Sequence, residues 1–99
     1  MGRIAVILKT DGSMETVPLY KKETLEQLQG WVGGYIERVR VRFAGRIRDV
    51  WINEEGLLKN LPVNQEATNL YEATLGCSLK NPLVGDVVII LPNKKRRVL

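Results

Sequence analysis

Arg38-Val39-Arg40-Val41-Arg42-Phe43 is the stretch that decides the fold. Its apolar residues recur at every second position, the period of a strand with one buried and one solvated face. Val39, Val41 and Phe43 read as core, and Arg38, Arg40 and Arg42 as the opposite face. Immediately downstream, Ala44-Gly45-Arg46 reads as a turn and Ile47 to Ile52 as the returning strand, with Val50 and Ile52 on the face opposite Trp51. Arg48 shares the parity of Val50, so it either lies at the strand end or follows a bulge that shifts the register. An arginine-rich antiparallel hairpin is the centre from which the rest of the chain is placed.

Towards the N-terminus, Arg3 to Thr10 is rich in Ile, Val and Leu, and Asp11-Gly12 is a hairpin turn signal in front of Met14 to Tyr20. Pro18 has no N–H to donate, which puts this second strand at a sheet edge or turns that position away from the ladder. Thr24 and Gln27 have the spacing of a capping box, and Leu25, Leu28, Trp31 and Val32 make an apolar stripe that ends at Gly33-Gly34. That glycine pair follows a helix instead of opening one, so it reads as a C-cap and not as a phosphate-binding loop.

Beyond the hairpin, Asn53-Glu54-Glu55-Gly56 ends the returning strand, and Leu57 to Val63 reads as a short turn that packs Leu58 and Leu61. Asn64 is placed to cap a helix from Gln65 to about Leu75, with Ala67, Leu70, Tyr71 and Thr74 on one side and Gly76 as its C-cap. Val84 to Leu91 is apolar on both faces, the pattern of a central, covered strand. The expected architecture is a single compact α+β domain over residues 1–92. It has a mostly antiparallel sheet of about five strands covered on one face by two helices, and a basic C-terminal tail over residues 93–99.

Composition limits the chemistry. Ninety-nine residues suffice for one modest core, and 44% hydrophobic with 26% charged residues is an ordinary globular balance. No apolar run approaches the roughly 20 residues of a membrane span, and the single Cys77 cannot form an intramolecular disulfide, so the expectation is a soluble cytoplasmic protein. Histidine is absent, which removes the commonest general base and the usual zinc ligand. Neither a metal, a cofactor nor a catalytic residue is expected. Glu54-Glu55 lacks the ligand series of a calcium loop and reads as an acidic turn. Glu37 has no chemical partner in the sequence, and Cys77 reads as an inert, partly buried thiol.

Net charge is +4, and its distribution says more than its sum. Arg38, Arg40, Arg42, Arg46 and Arg48 fall in a stretch without an acid, and Lys94, Lys95, Arg96 and Arg97 sit near the C-terminus. From Asp49 to Glu72, by contrast, five acids face the one cation Lys59. Such segregation makes a field with two poles. Alternate side chains on a strand stand about 6–7 Å apart, a spacing that suits successive phosphates, with Trp51 or Tyr35 as stacking partners if exposed. The same face also fits a solvated strand whose arginines pair with nearby acids and deter edge-to-edge association.

Four short motifs stand between the apolar segments: Val32-Gly33-Gly34-Tyr35-Ile36-Glu37, Asn53-Glu54-Glu55-Gly56, Leu61-Pro62-Val63-Asn64 and Val84-Gly85-Asp86. Their order and spacing resemble a family of small domains encoded by bacteriophages and other mobile elements, a family of uncharacterised function. The likeness covers nearly all but the tail; the arginine hairpin and Lys94 to Arg97 depart from it. The resemblance implies a phage-type protein made in a bacterial host cytoplasm. The functional expectation is a non-enzymatic accessory protein that binds a host protein or a small anionic ligand. The alternative is a nucleic-acid-binding module built on Arg38, Arg40, Arg42, Arg46, Arg48, Trp51 and the basic tail.

Overall fold

The computed structural model describes residues 3–19 and 24–92, and the tail predicted over 93–99, with Lys94, Lys95, Arg96 and Arg97, lies outside the described residues. The chain runs β1 (Arg3–Leu8), β2 (Met14–Leu19), α1 (Thr24–Val32), β3 (Ile36–Phe43), β4 (Arg46–Asn53), α2 (Gln65–Leu75) and β5 (Val87–Pro92). The five strands form one sheet in the order β2-β1-β5-β4-β3, and every pairing is antiparallel. The α+β class, the strand count and the two helices are as the sequence predicts.

The middle of the sheet is the most apolar strand, β5. Val87, Val88 and Ile89 are fully buried, because neighbours flank the strand on both sides and a helix packs on each face. The expected start at Val84 is too early. Val84 makes only an isolated bridge to Val63, and the regular strand begins at Val87.

The two helices do not share a face. Val6, Leu8, Val41, Val50, Val87 and Ile89 pack with Ala67 and Leu70 of α2, whereas Ala5, Ile7 and Val88 pack with Leu28 and Val32 of α1. Strand parity explains the division, since consecutive residues point to opposite sides and both β5 and β1 from Ile4 onward are apolar at every position. A sheet apolar on both sides needs a cover on each, so the expectation of two helices on one face is corrected to one on each.

Within α1 the stripe narrows. Leu28 and Val32 are buried and Trp31 half-buried, but Leu25 is 57% exposed, so it does not belong to the core. Leu58, expected to pack, is 83% exposed. α2 matches its sequence closely. The Asn64 side chain accepts from the Ala67 N–H at 3.1 Å, and Gly76 closes the helix in the left-handed conformation with its N–H on the Glu72 carbonyl.

The β2 edge carries Pro18 as expected. Lys9 N–H donates to Ser13 O, which makes Lys9 and Ser13 a hydrogen-bonded pair and, two by two along the ladder, turns Pro18 outward. Its missing N–H therefore costs no ladder bond.

Candidate functional site

β3 and β4 pair without interruption from Ile36↔Asn53 to Phe43↔Arg46, so no bulge shifts the register. Only Ala44 and Gly45 form the turn, both with positive φ (54° and 82°), the geometry of a two-residue hairpin; Arg46 belongs to β4 and not to the turn. This register divides the five arginines. Arg38, Arg40 and Arg42 share a face with Trp51, Asp49 and Ile47, the side of the sheet on which α1 lies. Arg46 and Arg48 lie opposite Phe43 and Val41, on the α2 side.

The candidate arginine site is therefore not one surface. Arg48 is committed locally, its Nε donating to Phe43 O at 3.0 Å and Nη2 to Ala44 O at 3.4 Å, so it clamps the hairpin turn. Arg38, Arg40 and Arg42, the three on the α1 side, are exposed, and the first two of them contact one acid. Asp49 Oδ1 lies 3.3 Å from Arg40 Nε and 3.9 Å from Arg38 Nη1. Arg40 and Asp49 are directly opposite and, by the alternation of the ladder, form a non-hydrogen-bonded pair, the closer of the two pair types. Trp51, across from Arg38, is half-buried against the α1 cluster, so it is not a free stacking platform. The result is a row of three cations with a carboxylate in its middle and Ile47, 47% exposed, beside Arg42.

β3 is also an edge of the sheet. Tyr35 O accepts from Glu54 N–H at 2.8 Å, so odd-numbered residues of β3 face β4 and even-numbered ones turn their backbone outward. Arg42 confirms the phase, because its outward N–H is taken by Thr74 Oγ1 of α2 at 2.8 Å. Among the described residues, no loop or helix takes the Arg38 or Arg40 N–H in the same way.

The four motifs converge at the other end of this hairpin, and the side chains of Asn53, Asn64 and Asp86 are spent on backbone groups of one another and of the end of β1. Asn53 Nδ2 donates to Val32 O at 3.0 Å, and its Oδ1 accepts from Glu55 N–H at 2.8 Å. Asn64 Nδ2 donates to Leu8 O and Gly85 O, both at 2.9 Å, and Asp86 Oδ1 accepts from Thr10 N–H at 3.0 Å. Two glycines make the close approach. A Cβ on Gly56 would stand 2.6 Å from Val84 Cγ2, and one on Gly85, at φ +81°, 2.8 Å from Leu61 Cδ1. These motifs are joints of the scaffold.

Two clefts flank the joint. One of about 400 Å³ is lined by Glu37, Glu54, Leu57, Leu58, Asn81 and Pro82 among others, and one of about 180 Å³ by Gln29, Gly34, Tyr35, Glu55 and Lys59. Neither contains an arginine. The exposed Tyr35 side chain and the Leu57-Leu58 pair at this end carry no sequence signal as surface residues, since aromatic and leucine side chains read as core by default. Cys77, expected to be partly buried, is exposed and free.

Among the described residues, the shifted proton affinities lie at the β1–β2 hairpin, away from the arginines. Hydrogen bonds from the Ser13 hydroxyl and N–H hold the Asp11 carboxyl below its ordinary range. The hydrogen bond and ion pair to Glu15 at 3.1 Å raise Lys9. No helix among the described residues is long and apolar enough to cross a membrane.

Comparison with known proteins gives a family. Residues 3–97 match the family described as a domain of unknown function, DUF3846. No curated protein matches the chain, and no solved structure does.

Proposed function

The chain belongs to that family of unknown function, and we propose that it is a non-enzymatic, phage-type accessory protein whose arginine face engages an acidic surface of a bacterial host protein. One observation carries this reading: Asp49 sits between Arg38 and Arg40. A row interrupted by a carboxylate is a poor track for a continuous polyphosphate. It suits a protein surface that offers acids to Arg38, Arg40 and Arg42 and a donor to Asp49. Steering by such a field speeds association, and mixed charge selects the partner. Histidine is absent from the chain and neither cleft beside the joint is lined by an arginine, which weighs against catalysis or small-anion capture at this face.

Nucleic acid is the second reading, and topology favours it at one point. β5 runs antiparallel to β4, so Pro92 stands toward the Arg46 end of the hairpin, and the sequence continues from there into Lys94, Lys95, Arg96 and Arg97.

The two separate in an affinity capture from bacterial lysate, with and without nuclease treatment, using the wild-type chain and an Arg40→Glu/Arg42→Glu variant. A defined host protein retained by the wild type and lost on charge reversal supports the first reading. Retention that disappears with nuclease and weakens steeply with salt supports the second.

A further inference from the structure

The geometry points to the β3 edge as a strand-addition site, on which an extended acidic segment of a partner docks by main-chain hydrogen bonding to Arg38 and Arg40. This rests on the reading of the arginine face as a protein-binding surface and adds the mode of contact.

Three features meet on this edge. First, the even-numbered residues of β3 aim their N–H and C=O groups away from β4, and the ladder beyond them is vacant at Arg38 and Arg40. Second, the site has an end: Thr74 Oγ1 occupies the Arg42 N–H, so the vacant stretch of the edge stops short of Arg42, beside α2. Third, the side chains of the same outward-facing residues are the exposed cations of the α1-side face.

An added strand places its own alternate side chains on that face, within reach of Arg38 and Arg40. Glutamate or aspartate at every second position complements them, whereas a second copy of β3 would set arginine against arginine. The charge thus disfavours self-pairing of the edge and admits an acidic strand. The opposite edge is unlike it, since outward-facing Pro18 interrupts the donor row of β2.

The probe is a seven-residue blocked peptide of alternating valine and glutamate, with two controls: lysine in place of glutamate, and N-methyl groups on alternate amides in each of the two phases. Amide hydrogen exchange and amide chemical shifts of the protein are the readouts. The expected result is slowed exchange at Arg38 and Arg40 but not at Glu37 or Val39, already paired to β4. Affinity should fall at least tenfold with lysine, and with N-methylation in one phase only. Binding that depends on glutamate and on Arg40 but ignores N-methylation overturns strand addition and leaves the charged face intact as a docking surface. Absence of glutamate-dependent binding overturns strand addition. Loss of host-protein capture as well as peptide binding would overturn the proposed function with it.

Discussion

The side-chain amide of Asn64 donates to the carbonyl of Leu8 at 2.9 Å, joining residues 56 positions apart. The same nitrogen donates to Gly85 O, the Oδ1 caps α2 through Ala67 N–H, and the side chain is fully buried. One residue thus ties the end of β1, the approach to β5 and the start of α2. Asn64→Ala leaves three buried backbone groups without these partners, and should cost about 3 kcal/mol, a fall in Tm of roughly 15 °C. Asn64→Asp keeps the cap but sets a carboxylate against two carbonyl oxygens, which raises its folded pKa above the unfolded value of about 3.9. Its stability deficit should therefore be small in acid and grow as pH rises through that range, measurable by urea titration at several pH values.

Gly85 and Gly30 should respond to alanine with opposite signs. At Gly85 the added methyl meets Leu61 Cδ1 at 2.8 Å and the backbone is at φ +81°, so overpacking and left-handed strain combine to about 2–4 kcal/mol of destabilisation. Gly30 lies inside α1, is exposed and has nothing within 4 Å of its Cβ position, so Gly30→Ala should stabilise by about 0.5–1 kcal/mol. Paired thermal melts check both.

What was legible in the sequence follows range of interaction. The alternation of Arg38 to Phe43, the Asn64 cap and the Gly76 stop are local signals, and each appears in place. The placement of α1 and α2 on opposite faces depends on strand order, and no short-range pattern encodes that order. The arginine site was half legible. Period two correctly grouped Arg38, Arg40 and Arg42, but charge clustering added Arg46 and Arg48, which the hairpin turn sends to the other face. Asp49 lies just outside the cluster in sequence, yet the register puts it at the centre of the face.

Acid sensitivity should have a traceable component at Asp11. Its folded pKa is lowered by the Ser13 hydrogen bonds, so its contribution is present above the unfolded pKa of about 3.9 and is lost as pH falls through the lowered folded value. Asp11→Asn retains an acceptor for Ser13 but does not titrate. Its stability should fall less steeply than wild type below about pH 4, as read from denaturant midpoints.

Asp49→Asn separates the two readings of the arginine face. The ion pairs it removes are substantially exposed, so stability should change by less than about 1 kcal/mol. Heparin retention should increase, because the middle of the row no longer carries a carboxylate. Under the protein-partner reading, capture of the host protein should weaken at the same time, since the charge-assisted bond from a donor on that partner becomes a neutral one. A gain on both supports would instead favour nucleic acid.

Thr74→Val tests how the β3 edge is closed. Thr74 Oγ1 accepts from Arg42 N–H and donates its own proton to Leu70 O at 2.7 Å, so it joins the last turn of α2 to the strand edge. Valine keeps the shape and β-branching but loses both bonds, which should cost about 1–2 kcal/mol with Arg42 still reachable by water. Amide exchange at Arg42 should accelerate, while that of Val41 and Phe43, directed at β4, should follow only the global loss of stability. The free edge then lengthens from Arg40 to Arg42. If an acidic strand docks there, the variant should bind the valine–glutamate peptide more tightly than wild type despite being less stable, and weaker binding would show that Thr74 positions the strand instead of ending the site.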